Sequence, residues 1–213
     1  MPRLAEPPTS TRDSLLDAAD RLLGRTGYRK TTLDDVARES GVGRRTIYLH
    51  FESKEELFLS SIDRVVERLI AELARIAARA APPGERLRSM LVARVLFRFD
   101  CVRGYYQSLD EMLASLRGAY LERRETYFEK EAEVLARVVA QGVQAGDLES
   151  NDPLASAQTL VLATNSLLPY SLSARELGSR RTVEEEAARL ADLLLAGLST
   201  GRRPRAKRAR PAP

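Results

Sequence analysis

The sequence predicts an all-α protein: an N-terminal three-helix helix-turn-helix domain, joined by a long helix to a larger helical domain. Three observations predict it. Apolar residues recur every three or four positions through most of the chain, and no segment alternates with the two-residue period of a half-buried strand. Two short segments with helix-start signals flank the glycine turn Gly41-Val42-Gly43. From Lys54 to Ala80, 27 residues run without a breaker, enough for about 40 Å of continuous helix.

Taken in order, residues 1–8 hold three prolines and no apolar period, and read as a disordered lead-in. Residues 9–57 form the helix-turn-helix domain. Ser10 and Asp13 have capping-box spacing, and Leu15, Ala19, Leu22 and Leu23 mark one face of a helix that ends near Gly27. Thr32 and Asp35 make a second capping box. Val36 and Ala37 face inward, and Gly41 stands where a helix takes a left-handed residue. The next helix, Arg44 to Phe51, sends Ile47 and Phe51 to the core and turns Arg44, Arg45, Thr46, Tyr48 and His50 elsewhere. Cations, hydroxyls and an imidazole on a short helix suit phosphates and base edges in a major groove.

Residues 58–200 form the second domain. Ser53 caps the long helix, whose stripe is Phe58, Ile62, Val65, Leu69, Leu73 and Ile76, and Pro82-Pro83-Gly84 ends it. Leu87 to Phe99 makes an apolar helix that Gly104 interrupts. A shorter piece covers Tyr105 to Leu116, and an amphipathic helix Gly118 to Ala145. In the latter Tyr120, Tyr127, Leu135, Val138 and Val139 point inward. The charges Glu122, Arg123, Arg124, Glu125, Glu129, Lys130 and Glu131 read as a solvated face. Turn residues at Gly146 and Asn151 precede a helix from Pro153 to about Arg175, which Pro169 should kink or end. The last helix, Val183 to Leu198, begins near the run Glu184-Glu185-Glu186, suited to the helix dipole. These two C-terminal helices suit a four-helix interface with a second copy, through Leu160, Thr164, Leu167, Ala187, Leu190, Ala191, Leu194 and Leu198; the same stripes would also complete the monomer's own core. Residues 201–213, rich in Pro, Arg and Ala, read as a disordered basic tail.

Charge distribution agrees with a nucleic-acid partner. The net charge is +4, yet the tail alone holds five Arg and one Lys, so the rest of the chain carries −2. Between Arg25 and Lys54, seven basic residues face four acids. No apolar run approaches a membrane span, and no signal-peptide core is present, which implies the cytoplasm and no membrane partner. Cys101 is the only cysteine and reads as a small core residue. With one His and one Cys, no metal-ligand spacing and no dinucleotide loop, the sequence implies no enzyme, metal or cofactor.

The run Thr46-Ile47-Tyr48-Leu49-His50-Phe51-Glu52-Ser53-Lys54-Glu55-Glu56-Leu57, with Gly27-Tyr28 and Thr31 to Ala37 upstream, resembles the TetR/AcrR family of transcriptional regulators over Ser14 to Leu59. The resemblance implies a homodimer bound to a palindromic double-stranded DNA operator. It also implies a repressor in most cases, whose second domain binds a small-molecule effector. By match to the family motif, Thr32, Arg44, Arg45, Thr46, Tyr48, His50 and Lys54 fall where its DNA contacts lie. Arg44 and Arg45 are the candidate base readers, and Thr32, Tyr48, His50 and Lys54 the candidate phosphate ligands. Leu49 departs from the aromatic residue common at its place. For the effector, Met90, Phe97, Phe99, Tyr105, Tyr106, Met112, Tyr120, Tyr127, Phe128, Asn165 and Tyr170 either line an apolar cavity or fill the core. A nonspecific architectural DNA binder and a helical protein-interaction module are the rival readings.

Overall fold

Local capping starts the helices where the sequence places them. The Ser10 hydroxyl accepts the amide of Asp13 at 3.1 Å and opens α1 (Thr11–Lys30). Thr32 and Asp35 form a reciprocal capping box at the head of α2 (Leu33–Ser40). Ser53 accepts the amide of Glu56 at 3.0 Å and opens α4 (Lys54–Ala77). Asp152 accepts two amides at the start of α7 (Pro153–Thr164), where Pro153 needs no partner for its nitrogen. Between these lie α3 (Arg44–His50), α5 (Pro83–Val102) and α6 (Tyr106–Ala145); α8 (Arg180–Leu198) closes the order. The computed structural model describes residues 10–102, 106–168 and 178–199, with the backbone alone for 106–110. No strand occurs among the described residues, only an isolated bridge between Leu148 and Ser199. The lead-in, the expected breaks at Gly104 and Pro169, Tyr105, Tyr170, the Tyr106 side chain and the basic tail lie outside the described residues.

Two turns rest on glycine. Gly27 has φ 80° and ψ 168°, so α1 kinks there and adds one more turn to Lys30. Gly41, with φ 75°, closes α2 as a left-handed residue whose amide reaches the carbonyls of Ala37 and Arg38.

Four expectations about helices are corrected. The long helix α4 stops at Ala77 rather than Ala80, because the Arg86 guanidinium bonds the Ala77 carbonyl and caps that end. Gly118 does not break α6, which runs 40 residues, about 60 Å, from Tyr106 to Ala145. An exposed mid-helix glycine costs only about 1 kcal/mol, and buried Met112, Leu116 and Tyr120 on either side outweigh it. Glu131 is not part of a solvated face. It is fully buried, ion-paired to Arg94 and Arg98 of α5. Finally, α7 ends at Thr164, well before Arg175, and passes into a short 3-10 turn, Asn165–Leu167. Leu168 is then extended, with φ −82° and ψ 146°. That is the conformation that a residue preceding proline prefers.

Packing divides into three apolar clusters. One holds Leu15, Leu16, Ala19 and Leu23 of α1, Val36 of α2, Ile47, Phe51 and Phe58, and continues into Met112, Leu116, Tyr120 and Tyr127 of α6. The second joins the C-terminal half of α4 (Leu69, Leu73, Ile76) to α5, the second half of α6, α7 and Ala191. The third is small: Val95, Leu96, Phe99, Leu168, Val183 and Ala187. Thus α4 and α6 both run from the first cluster into the second. Arg64 of α4 grips Asp17 at 2.7 Å and Asp20 at 2.8 Å, both on α1. Asp63, one residue earlier on α4, takes Arg123 at 2.6 Å and the Tyr127 hydroxyl, both from α6.

The C-terminal stripes serve the chain's own core. Leu160, Thr164, Ala187 and Ala191 are buried within the single chain, the second of the two placements that the sequence left open for them. Leu194 and Leu198 pack against the second cluster and Leu167 against the third, all half-buried, as is Leu190. The large apolar residues that α7 and α8 do expose are Leu154, Leu162 and Leu193.

Candidate nucleic-acid interface

The short helix α3 is fixed from behind. Ile47 is fully buried and Phe51, which caps the helix, is 1% exposed. A seven-residue helix has too few internal bonds to persist alone, so these two anchors set its position. Its opposite face carries Arg44, Arg45, Tyr48 and Leu49, all exposed. Two stripes run along that face at helical spacing: Arg44 with Tyr48, and Arg45 with Leu49.

The stripes differ in how they are held. Arg44 pairs with Asp34 of α2, Nε to Oδ1 3.0 Å, and its guanidinium carbon is 6.0 Å from the centre of the Tyr48 ring. The Tyr48 hydroxyl points at the same Asp34 oxygen from 3.5 Å. Arg45 makes no ion pair or hydrogen bond among the described residues. Leu49 is 76% exposed, the largest exposure among the described bulky apolar residues.

The other expected contacts are placed differently. Thr46 and His50 are half-buried at the two ends of α3, the His50 ring 6.3 Å from that of Phe51. The Thr32 hydroxyl is occupied by the α2 cap: it donates to Asp35 at 2.6 Å and accepts the Asp35 amide at 3.2 Å. Lys54 lies over the Tyr28 ring, 4.1 Å from its centre, and donates to the Arg29 carbonyl at 3.3 Å. Burial lowers its pKa, with Glu55 opposing that effect in part. Two residues near the face were missed from the sequence. Arg12, in the first turn of α1, covers the Phe51 ring at 5.4 Å, and Asp34 collects Arg44 and Tyr48. Arg12 had a local signal, an exposed cation at a helix start; the contact of Asp34 depends on the angle between two helices.

The candidate effector residues do not share one wall. Met112, Tyr120 and Tyr127 pack into the helix-turn-helix cluster, whereas Met90 belongs to the second cluster. Phe97 lines an open groove of about 400 Å³ with Ile76, Val92 and Leu96, rimmed by Arg79, Arg88 and Arg180. Asn165 receives a hydrogen bond from Arg94, which also donates to Thr164 at 2.7 Å. A polar knot therefore joins these helices: Arg94 and Arg98 of α5 around Glu131 of α6, tied to the end of α7. No group of His, Cys, Asp and Glu able to hold a metal occurs among the described residues. No described helix is long and apolar enough to cross a membrane.

The profile of "Bacterial regulatory proteins, tetR family" matches residues 15–60, the segment that contains α2, α3 and the start of α4. The HTH-type transcriptional repressor KstR2 of Mycobacterium tuberculosis is 29% identical over 153 residues, 68% of this chain and 73% of its own. A TetR/AcrR regulator from Thermobifida fusca superposes with a TM-score of 0.63 at 28% identity, over 90% of this chain and 98% of that one. The SmeT–triclosan complex shares the fold at 22% identity, with a TM-score of 0.66 over 95% and 98% of the two chains. With α3 presented on the matched segment, this chain belongs to the TetR/AcrR family of helix-turn-helix, DNA-binding transcriptional regulators.

Proposed function

We propose that this regulator is a cytoplasmic, homodimeric repressor that grips a palindromic operator through α3 and leaves it when a small effector binds. The observation that carries the reading is the division of α3: Ile47 and Phe51 locked in the core, with Arg44, Arg45, Tyr48 and Leu49 turned outward. A rigid short helix with two guanidiniums at its head suits bidentate contacts to guanine O6 and N7. Tyr48 and His50 serve the backbone, and Thr46 stands beside Arg45 at the same end. Thr32 and Lys54 act indirectly in this reading, by fixing α2 and α4. A repressor among the relatives supports the sign of regulation, and a neighbour that holds triclosan supports a small-molecule effector.

The domain division at 57/58 is crossed by α4, and α6 packs on both sides of it. An effector that shifts α6 in the second domain would therefore act on the helix-turn-helix core directly. In the dimer, it would change the separation of two recognition helices that must stand about 34–36 Å apart.

Selection of duplexes from a randomised library, followed by footprinting against scrambled DNA, tests the reading. A protected two-fold symmetric site is expected, and Arg45→Ala should cost about 1–3 kcal/mol at that site only. Equal protection of scrambled DNA would make the protein a nonspecific binder. Calorimetry of a candidate effector with and without the selected duplex must show reciprocal weakening.

A further inference from the structure

Asp34 and Arg44 sit on different helices of the recognition unit, and their contact bears on how an exposed arginine is kept ready. Asp34 is the second residue of α2, where unpaired helix N–H groups favour a carboxylate. It takes no part in the cap, which Thr32 and Asp35 complete between them. Its Oδ1 faces Arg44 Nε at 3.0 Å and the Tyr48 hydroxyl at 3.5 Å. Arg44 is thus flanked by a carboxylate through its Nε and by the Tyr48 ring, 6.0 Å from its guanidinium carbon. Neither of its terminal nitrogens makes a hydrogen bond among the described residues. Those are the nitrogens that a bidentate contact to guanine uses.

Stability does not account for the pair. The Arg44 side chain is 75% exposed and that of Asp34 37%, and such pairs add little to folding. Nor does affinity, because a carboxylate beside a DNA-facing helix opposes the attraction of phosphates. What the arrangement does supply is order in a long side chain before binding.

We propose that Asp34 is a positioning residue for specificity: it holds Arg44 against Tyr48 with its terminal nitrogens turned to solvent, and its charge weakens the attraction to random DNA. The proposal rests on Arg44 as a base reader. Ordering a flexible side chain in advance is worth roughly 2- to 12-fold in binding. The carboxylate therefore sharpens the ratio of operator to random DNA: its charge opposes both, and only the operator regains affinity from the ordered arginine.

The test uses the full-length protein, a duplex selected from a randomised library and a scrambled duplex of equal length. Asp34→Asn is expected to bind the scrambled duplex more tightly, since one negative charge is gone. Its selected-to-scrambled ratio should fall roughly 2- to 12-fold. Asp34→Ser, which keeps a residue favoured at helix starts, should do the same. In an Arg44→Ala background, Asp34→Asn should leave the ratio unchanged, because there is no longer a side chain to place. If Arg44→Ala lowers the ratio and Asp34→Asn does not, the positioning role is wrong while base reading stands. If Arg44→Ala itself leaves the ratio intact, Arg44 is no base reader and the proposal falls with it. A gain in affinity shared equally by both duplexes would reduce Asp34 to an electrostatic brake.

Discussion

Glu131 lies against Arg94 at a point where neither side chain has any solvent exposure. The carboxylate is shared with Arg98, and Arg94 continues to Thr164 and Asn165 at the end of α7, so one buried charge cluster ties three helices. Such a cluster adds little over a well-packed apolar core, but removing one partner leaves the others buried and charged.

Glu131→Gln is accordingly expected to destabilise the protein by about 3–5 kcal/mol, far more than an ordinary surface substitution. Urea unfolding followed by far-ultraviolet circular dichroism gives the number. A loss below about 1 kcal/mol would mean that the cluster is solvated in solution.

The same carboxyl sets a pH dependence. Burial alone would raise its pKa; Arg94 and Arg98 outweigh that and hold it below the ordinary 4.5. A folded-state pKa lower than the unfolded one stabilises the native state above the unfolded value, and the benefit fades as pH falls through the folded value. The stability gap between the wild type and Glu131→Gln should therefore be constant from about pH 6 to 8 and narrow in acid below about pH 4. Unfolding midpoints measured across that range check it; a gap that widened in acid would contradict the sign.

How much of this was legible in the sequence follows from distance along the chain. The Thr32–Asp35 cap and the Ile47–Phe51 anchor are local patterns, three and four residues apart, and the structure has both. Glu131 could not be read that way. Its charge sits in a run of exposed charges, and its burial is decided by arginines 33 and 37 positions away. Gly118 looked like a breaker because the packing of Met112, Leu116 and Tyr120 against α1 and α4 is invisible locally. In the candidate site, the outward face of α3 was legible by helical period. That Thr32 and Lys54 are already engaged within the fold was not, since the hydroxyl and ammonium have several possible partners.

Assembly offers a third test, on the residues that α7 and α8 leave outside. Leu162 is 70% exposed and Leu193 73%. A carboxylate at either place would be solvated in the monomer but buried unpaired in a dimer built on these helices. Leu162→Glu and Leu193→Glu should both sediment as folded monomers with weakened operator binding. Leu194→Glu, half-buried against the second cluster, should instead lower the unfolding temperature of the monomer itself. Dimers persisting in both surface variants would move the interface off α7 and α8.

The last prediction concerns Leu49. An isobutyl side chain 76% exposed on a helix otherwise lined with cations and hydroxyls costs solvation while the protein is free. On DNA, the one apolar group that the major groove displays is the C5-methyl of thymine. Leu49 follows Arg45 by one turn, so the leucine would meet the groove on the same face of the helix as the arginine. Burying one methyl against a leucine is worth about 0.8 kcal/mol, roughly fourfold in affinity. Operators in which single thymines are replaced by deoxyuridine remove that methyl and nothing else. One position should cost the wild-type protein roughly fourfold per half-site, and Leu49→Ala should bind the two duplexes equally. If every uracil substitution is silent, or if Leu49→Ala remains as sensitive as the wild type, then Leu49 faces the sugar-phosphate edge and reads no base.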